Sequence, residues 1–223
     1  IPCAPSLLGQ TIDHWETLVY DSVSWRYLEP TEEPVADWTS LSFDDSSWQQ
    51  GMGGFGYGDG DDSTVVSSNT VFIRHTFTIQ NPADWPDLRV AVDYDDGYIA
   101  YLNGVEISRR NMGAVGSPAS FNTFASGQHE AVLYANGTPQ SDTVLSSILL
   151  AGENVLAVQV HNRSANSSDL TCRPFLFGGT TLADGGFGPI PDWFNRPYVL
   201  TTYLPIVVLN TFGQTIHDDT RIV

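Results

Sequence analysis

Apolar and polar positions alternate along much of this chain. The run 71–79, VFIRHTFTI, is rich in β-branched and aromatic residues, and 88–94 sets Leu88, Val90, Val92 and Tyr94 against Arg89, Ala91 and Asp93. A two-residue period lines up one row of side chains on a single face, so both stretches read as strands. Residues 98–102 and 105–108 flank Asn103-Gly104. A tight hairpin turn needs positive φ at both central positions, which Asn and Gly tolerate, so the pattern predicts a hairpin there. Further strands are expected at 25–28, 131–134, 144–150, 154–161 and 170–177, between clusters of Gly, Asn, Ser and Pro. No stretch keeps a helical period over three turns. The chain therefore reads as all-β, a sandwich rather than a parallel α/β sheet.

The same pattern divides the chain. Residues 1–24 lack a clear period and read as a wrapping segment, with Trp15 and Trp25 as anchors into apolar surface. Residues 25–178 form the sandwich. Residues 179–198, with Gly179, Gly185, Gly186 and Gly188 among Pro189, Pro191 and Pro197, read as a linker. Residues 199–223 form a strand extension, in which Leu204, Ile206, Val207, Val208 and Leu209 make an apolar run. Two strands cannot build their own core. The extension is thus expected to fold back on its own sandwich or to be donated to a neighbour, giving a head-to-tail homopolymer.

Composition narrows the partners. The 223 residues are 41% hydrophobic, which suits a buried core, and carry 26 acids against nine cations for a net charge of −17. Every one of the nine cations is arginine. Such a field repels phosphate backbones and anionic lipid, so neither nucleic acid nor a membrane surface is expected as a partner, whereas calcium and neutral glycans suit it. No apolar run is long enough to span a bilayer. A start at Ile1, together with the acceptor triplets at Asn136, Asn162 and Asn166, predicts an exported, glycosylated protein at the cell surface or beyond. In that setting Cys3 and Cys172 are expected to form a disulfide, worth roughly 4–5 kcal/mol for so long a loop; the alternative is two buried thiols.

Catalytic signals are weak. Gly51-Met-Gly-Gly-Phe-Gly56 matches a dinucleotide fingerprint, but Tyr57-Gly-Asp-Gly follows in place of a helix. His129-Glu130 lacks the second histidine of a zinc protease, and no nucleophile elbow occurs. Two acidic clusters offer oxygen ligands to calcium: Asp59, Asp61 and Asp62, and Asp93, Asp95 and Asp96. For the first cluster the competing reading is a polar turn whose aspartates bind local backbone. Thr70 stands where an EF-hand would carry its bidentate glutamate. Carboxylates in Gly- and Ser-rich loops stay solvated and ionised, which argues against a glycosidase pair. Trp48, Tyr57, Tyr98 and Tyr101, beside Asn103, are candidate platforms for a glycan, although aromatics in a sandwich more often belong to its core.

Several motifs occur in a telling order. They are Tyr27-Leu28, Pro34, Trp38, Phe43-Asp-Asp-Ser-Ser-Trp48, Gly54-Phe-Gly-Tyr-Gly-Asp-Gly-Asp-Asp62, Tyr94-Asp-Asp-Gly97, Tyr101-Leu-Asn-Gly104, Arg110-Asn-Met112, Asn154-Val-Leu-Ala-Val158 and Ser167-Ser-Asp-Leu170. Over residues 25–178 this order resembles the galactose-binding-like jelly roll of bacterial surface proteins that carry lamin-tail and spore-coat-kinase-like modules. The resemblance implies a non-catalytic sandwich on a larger exported architecture, in which the Asp95-Asp96-Gly97 turn shapes a face or holds calcium. The leading expectation is an extracellular structural subunit, calcium-stabilised, that assembles through its C-terminal strand. The alternative is a carbohydrate-binding module.

Overall fold

The computed structural model describes residues 12–60 and 62–197. Cys3, Asp61 and the assembly run Leu204, Ile206, Val207, Val208 and Leu209 lie outside these residues. Among the described residues thirteen strands follow one another: β1 (His14–Val19), β2 (Ser24–Leu28), β3 (Gln49–Met52), β4 (Phe55–Tyr57), β5 (Thr64–Val65), β6 (Thr70–Ile79), β7 (Asp87–Asp95), β8 (Gly97–Leu102), β9 (Val105–Arg110), β10 (Ser141–Val144), β11 (Gly152–His161), β12 (Leu170–Thr180) and β13 (Gly188–Pro189). They form two sheets. The first runs β10-β7-β12-β1-β13, with β4 also on β12 and the short β5 parallel to β4. The second runs β3-β2-β6-β11-β8-β9. The architecture is an all-β jelly-roll-type sandwich, as the strand pattern predicts.

Alternation explains the core. Val71 and Ile73 of β6, Leu156, Val158 and Val160 of β11 and Tyr98 of β8 meet Leu88, Val90 and Val92 of β7 and Leu170, Cys172 and Leu176 of β12. Burying one such large side chain contributes roughly 1.5–3 kcal/mol. The opposite rows are covered as well, which is why β11 and β12 are buried on both faces. Trp38 and Trp48, with Phe43, close over Phe72 and Ala157 on the outer face of the second sheet. Arg74, 1% exposed, ties that cover down. Its Nε donates to Asp45 at 2.8 Å, and its other nitrogens donate to the carbonyls of Trp38, Ser40 and Phe43.

The hairpin forms as predicted, with Asn103 at φ 52° and Gly104 at φ 82°. Other expectations need correction. Residues 14–19 of the expected wrapping segment form a strand, β1, paired with β12 and β13, and the expected anchors Trp15 and Trp25 are both buried, Trp15 against Phe194 on the outer face of the first sheet. The expected linker 179–198 is packed too. It holds β13, and its Trp193 and Phe194 cover Phe175 and Phe177. The strand expected at 131–134 is instead an irregular loop ending in a 3-10 turn, Leu133–Ala135, and that at 144–150 is the end of β10 followed by a 3-10 turn, Ser146–Ile148. Cys172 is a buried free thiol in the core, with its pKa pushed up by burial; its expected disulfide partner Cys3 is among the residues not described.

Candidate metal centre

Three acids at the end of β7 and just after it, Asp93, Asp95 and Asp96, have different fates. Asp93 and Asp95 lie two residues apart on the outward row of β7, opposite Arg173 and Thr171 of β12. Asp93 accepts from the backbone N–H of Val132 at 2.7 Å and of Leu133 at 3.0 Å. Asp96 accepts from His129 N–H and from Arg163 N–H, each at 3.0 Å. Backbone N–H groups from distant loops thus claim these two carboxylates. Burial raises the pKa of Asp93, and the two backbone donors oppose that rise.

Asp95 differs. It is 3% exposed, and its carboxyl group shares a side-chain hydrogen bond with Asp96 and faces Asp169 and Glu130. Burial, followed by these neighbouring carboxylates, pushes its pKa up to about 8.

The flanking acids build this arrangement. By holding His129 on one side and Val132 and Leu133 on the other, Asp96 and Asp93 deliver Glu130 beside Asp95. By holding Arg163, Asp96 also fixes the start of the loop that ends in Asp169, immediately before β12. Carboxylate oxygens of Asp95, Glu130 and Asp169 lie within 4.8 Å of one another. They line a pocket of about 260 Å³ whose other walls, including Gln128, Arg163 and Asn166, are all polar. This acidic cluster can hold a metal ion: three hard oxygen donors from three segments converge on one point.

Sequence reasoning found Asp95 and missed its partners. Glu130 was visible only as half of a protease motif, and Asp169 as part of a Ser-Ser-Asp run. Neither spacing signals proximity, because the contact depends on two loops folding over β7. In the other expected cluster, Asp59 is exposed and accepts from Thr171 Oγ1 at 3.4 Å, while Asp62 packs beside Gly56.

The expected glycan platforms are placed differently. Trp48 is buried 6.1 Å from Trp38. Tyr98, 1% exposed, lies in the core with its hydroxyl 2.7 Å from Ser108 Oγ, so it offers no ring face to solvent. Tyr101 is half-buried against Trp38 and accepts from Gln159. Tyr57 is half-buried, and its hydroxyl donates to Asn69 and accepts from Asn162. Asn103 uses its side chain to pin the hairpin turn, donating to Ile148 and Asn154 and accepting from Val155 N–H. The glycosylation triplets also separate: Asn136 and Asn166 are exposed, whereas Asn162 is 0% exposed with its amide donating to Tyr57, which leaves no room for a glycan.

No family model matches the chain, and no curated protein matches it significantly. Solved structures do overlap with it. A β-glucuronidase from glycoside hydrolase family 2 is 16% identical, with 74% of this chain and 18% of that chain covered at a TM-score of 0.47. A calcium binding mutant of Bacteroides uniformis β-glucuronidase 2 is 18% identical over the same shares, again at 0.47. An uncultured Clostridium sp. β-glucuronidase is 14% identical, with 76% of this chain and 30% of that chain covered at 0.48. The overlap thus spans less than a third of those longer chains. At these scores it carries nothing about activity or ligand, and it gives no support to the lamin-tail or spore-coat-kinase-like part of the resemblance.

Proposed function

We propose that the chain is a non-catalytic, extracellular β-sandwich module whose acidic pocket holds calcium between Asp95, Glu130 and Asp169. One observation carries this reading: carboxylate oxygens of Asp95, Glu130 and Asp169, brought in by three separate segments, lie within 4.8 Å of one another, and Asp95 is almost wholly buried. Buried charge of one sign needs a counter-charge, and a divalent cation supplies it. The donors are all oxygen, with no histidine or cysteine in the group, which favours a hard ion over zinc or copper. Three side chains on separate segments suit the flexible, six- to eight-fold shell of calcium better than the rigid octahedron of magnesium, with polar wall groups or water filling the remaining places.

Calorimetric titration of EDTA-treated protein with calcium tests this. One site is expected, abolished by Asp95→Asn or Asp169→Asn and retained in Asp59→Asn. Equal heats in all four proteins would refute the assignment.

The same reading makes residues 199–223 the donated strand of a head-to-tail assembly. What supports it is the apolar run from Leu204 to Leu209 together with apolar side chains beside short edge strands, Met52 of β3 at 51% and Val65 of β5 at 73% exposure. Sedimentation is expected to show polymers for the full chain and monomers once 199–223 is deleted. Identical distributions would argue against assembly by strand donation.

A further inference from the structure

A second concavity, of about 430 Å³, lies where the expected linker crosses the outer face of the first sheet. It shares no lining residue with the acidic pocket. Its apolar side is aromatic: Trp193 is half-exposed and braced against Phe175, their ring centroids 5.0 Å apart at 77°. Tyr20 stands on the rim, its hydroxyl donating to the carbonyl of Pro189. Its polar side is one ion pair, in which Arg173 Nε and Nη2 each lie 2.8 Å from Asp21 Oδ2.

We propose that this cleft binds a pyranose ring of a neutral glycan, with the ring's C–H face against Trp193 and its hydroxyls on the Arg173–Asp21 pair. The volume falls in the range of small-ligand sites, and the lining combines apolar walls with a few convergent polar groups. Charge selects against an acidic sugar: Asp21 neutralises Arg173, Asp93 stands opposite Arg173 on β7, and the whole chain carries −17. Sugar hydroxyls both donate and accept, so one ring can accept from the guanidinium and donate to the carboxylate. An extended peptide fits less well. Pro189 and Pro191 on the rim have no N–H to offer it, and the Pro189 carbonyl already accepts from Thr17 and Tyr20. The tryptophan is held in place before any ligand arrives, so little ordering cost remains.

The test is ligand-observed NMR and tryptophan fluorescence on the full chain with a panel of neutral oligosaccharides, repeated in EDTA. At least one neutral glycan is expected to bind, with and without calcium. Its affinity should fall by tenfold or more in Trp193→Ala and in Arg173→Gln, and recover in part in Trp193→Phe, which keeps a ring in the same seat. Thermal unfolding of each variant identifies any loss caused by misfolding. Absence of any neutral binder, binding only to acidic sugars or proline-rich peptides, or affinity unchanged in folded Trp193→Ala and Arg173→Gln would each overturn the proposal.

Discussion

In EDTA at pH 8, the Asp95→Asn variant is expected to resist urea better than the parent protein, and calcium is expected to stabilise the parent but not the variant. The sign follows from burial. The Asp95 carboxyl titrates at about 8 in the folded metal-free protein, against ~3.9 in an unfolded chain. A group that holds its proton more tightly when folded contributes stability that is full below ~3.9 and is lost as pH rises toward 8. Over that window the metal-free parent should weaken by up to about 1.4 kcal/mol per pH unit relative to the variant. Calcium needs the ionised carboxylate, so its apparent Kd at pH 8 already includes the cost of removing the proton. At a hundredfold excess over Kd it adds about 2.7 kcal/mol to the parent and nothing to a variant that cannot bind it. Urea midpoints of both proteins at pH 5 and pH 8, in EDTA and in calcium, supply the comparison. A metal-free parent whose midpoint rises toward pH 8 relative to the variant would contradict this view of Asp95.

Arg74→Met should lower stability by roughly 3–5 kcal/mol, the usual cost of removing one member of a buried, hydrogen-bonded charge pair. The apolar replacement fills similar space but leaves the carbonyls of Trp38, Ser40 and Phe43 and the carboxylate of Asp45 without this donor. The cover over Phe72 and Ala157 should loosen first, so hydrogen exchange is expected to accelerate across residues 35–48 before the two sheets open. Arg74→Lys keeps the charge but cannot reproduce a fork that reaches four acceptors, so it should recover only part of the loss. A loss below about 1 kcal/mol, on the scale of an exposed ion pair, would show that the cover is held by its aromatic packing alone.

What the sequence revealed was whatever depends on local alternation and turn chemistry. The strands around 71–79, 88–94, 154–161 and 170–177 and the Asn103-Gly104 hairpin could be read because period two and positive φ are written in neighbouring residues. Residues 14–19 and 188–189 could not, since β1 and β13 are fixed by partners far along the chain. Aromatic content gave equally little guidance about exposure. By sequence Tyr98 and Trp48 are candidate platforms as well as candidate core residues, and alternation cannot choose, because the outer faces of this sandwich are themselves covered. The metal centre divides along the same line. Asp95 stood out in its acidic run, but its neighbours' backbone bonds, and with them the positions of Glu130 and Asp169, are tertiary events.

Anomalous diffraction from a crystal grown with calcium tests the central claim most directly. The account predicts one strong peak at about 2.3–2.6 Å from carboxylate oxygens of Asp95, Glu130 and Asp169. An empty pocket there, or a peak held instead by Asp59 and Asp62, would contradict it.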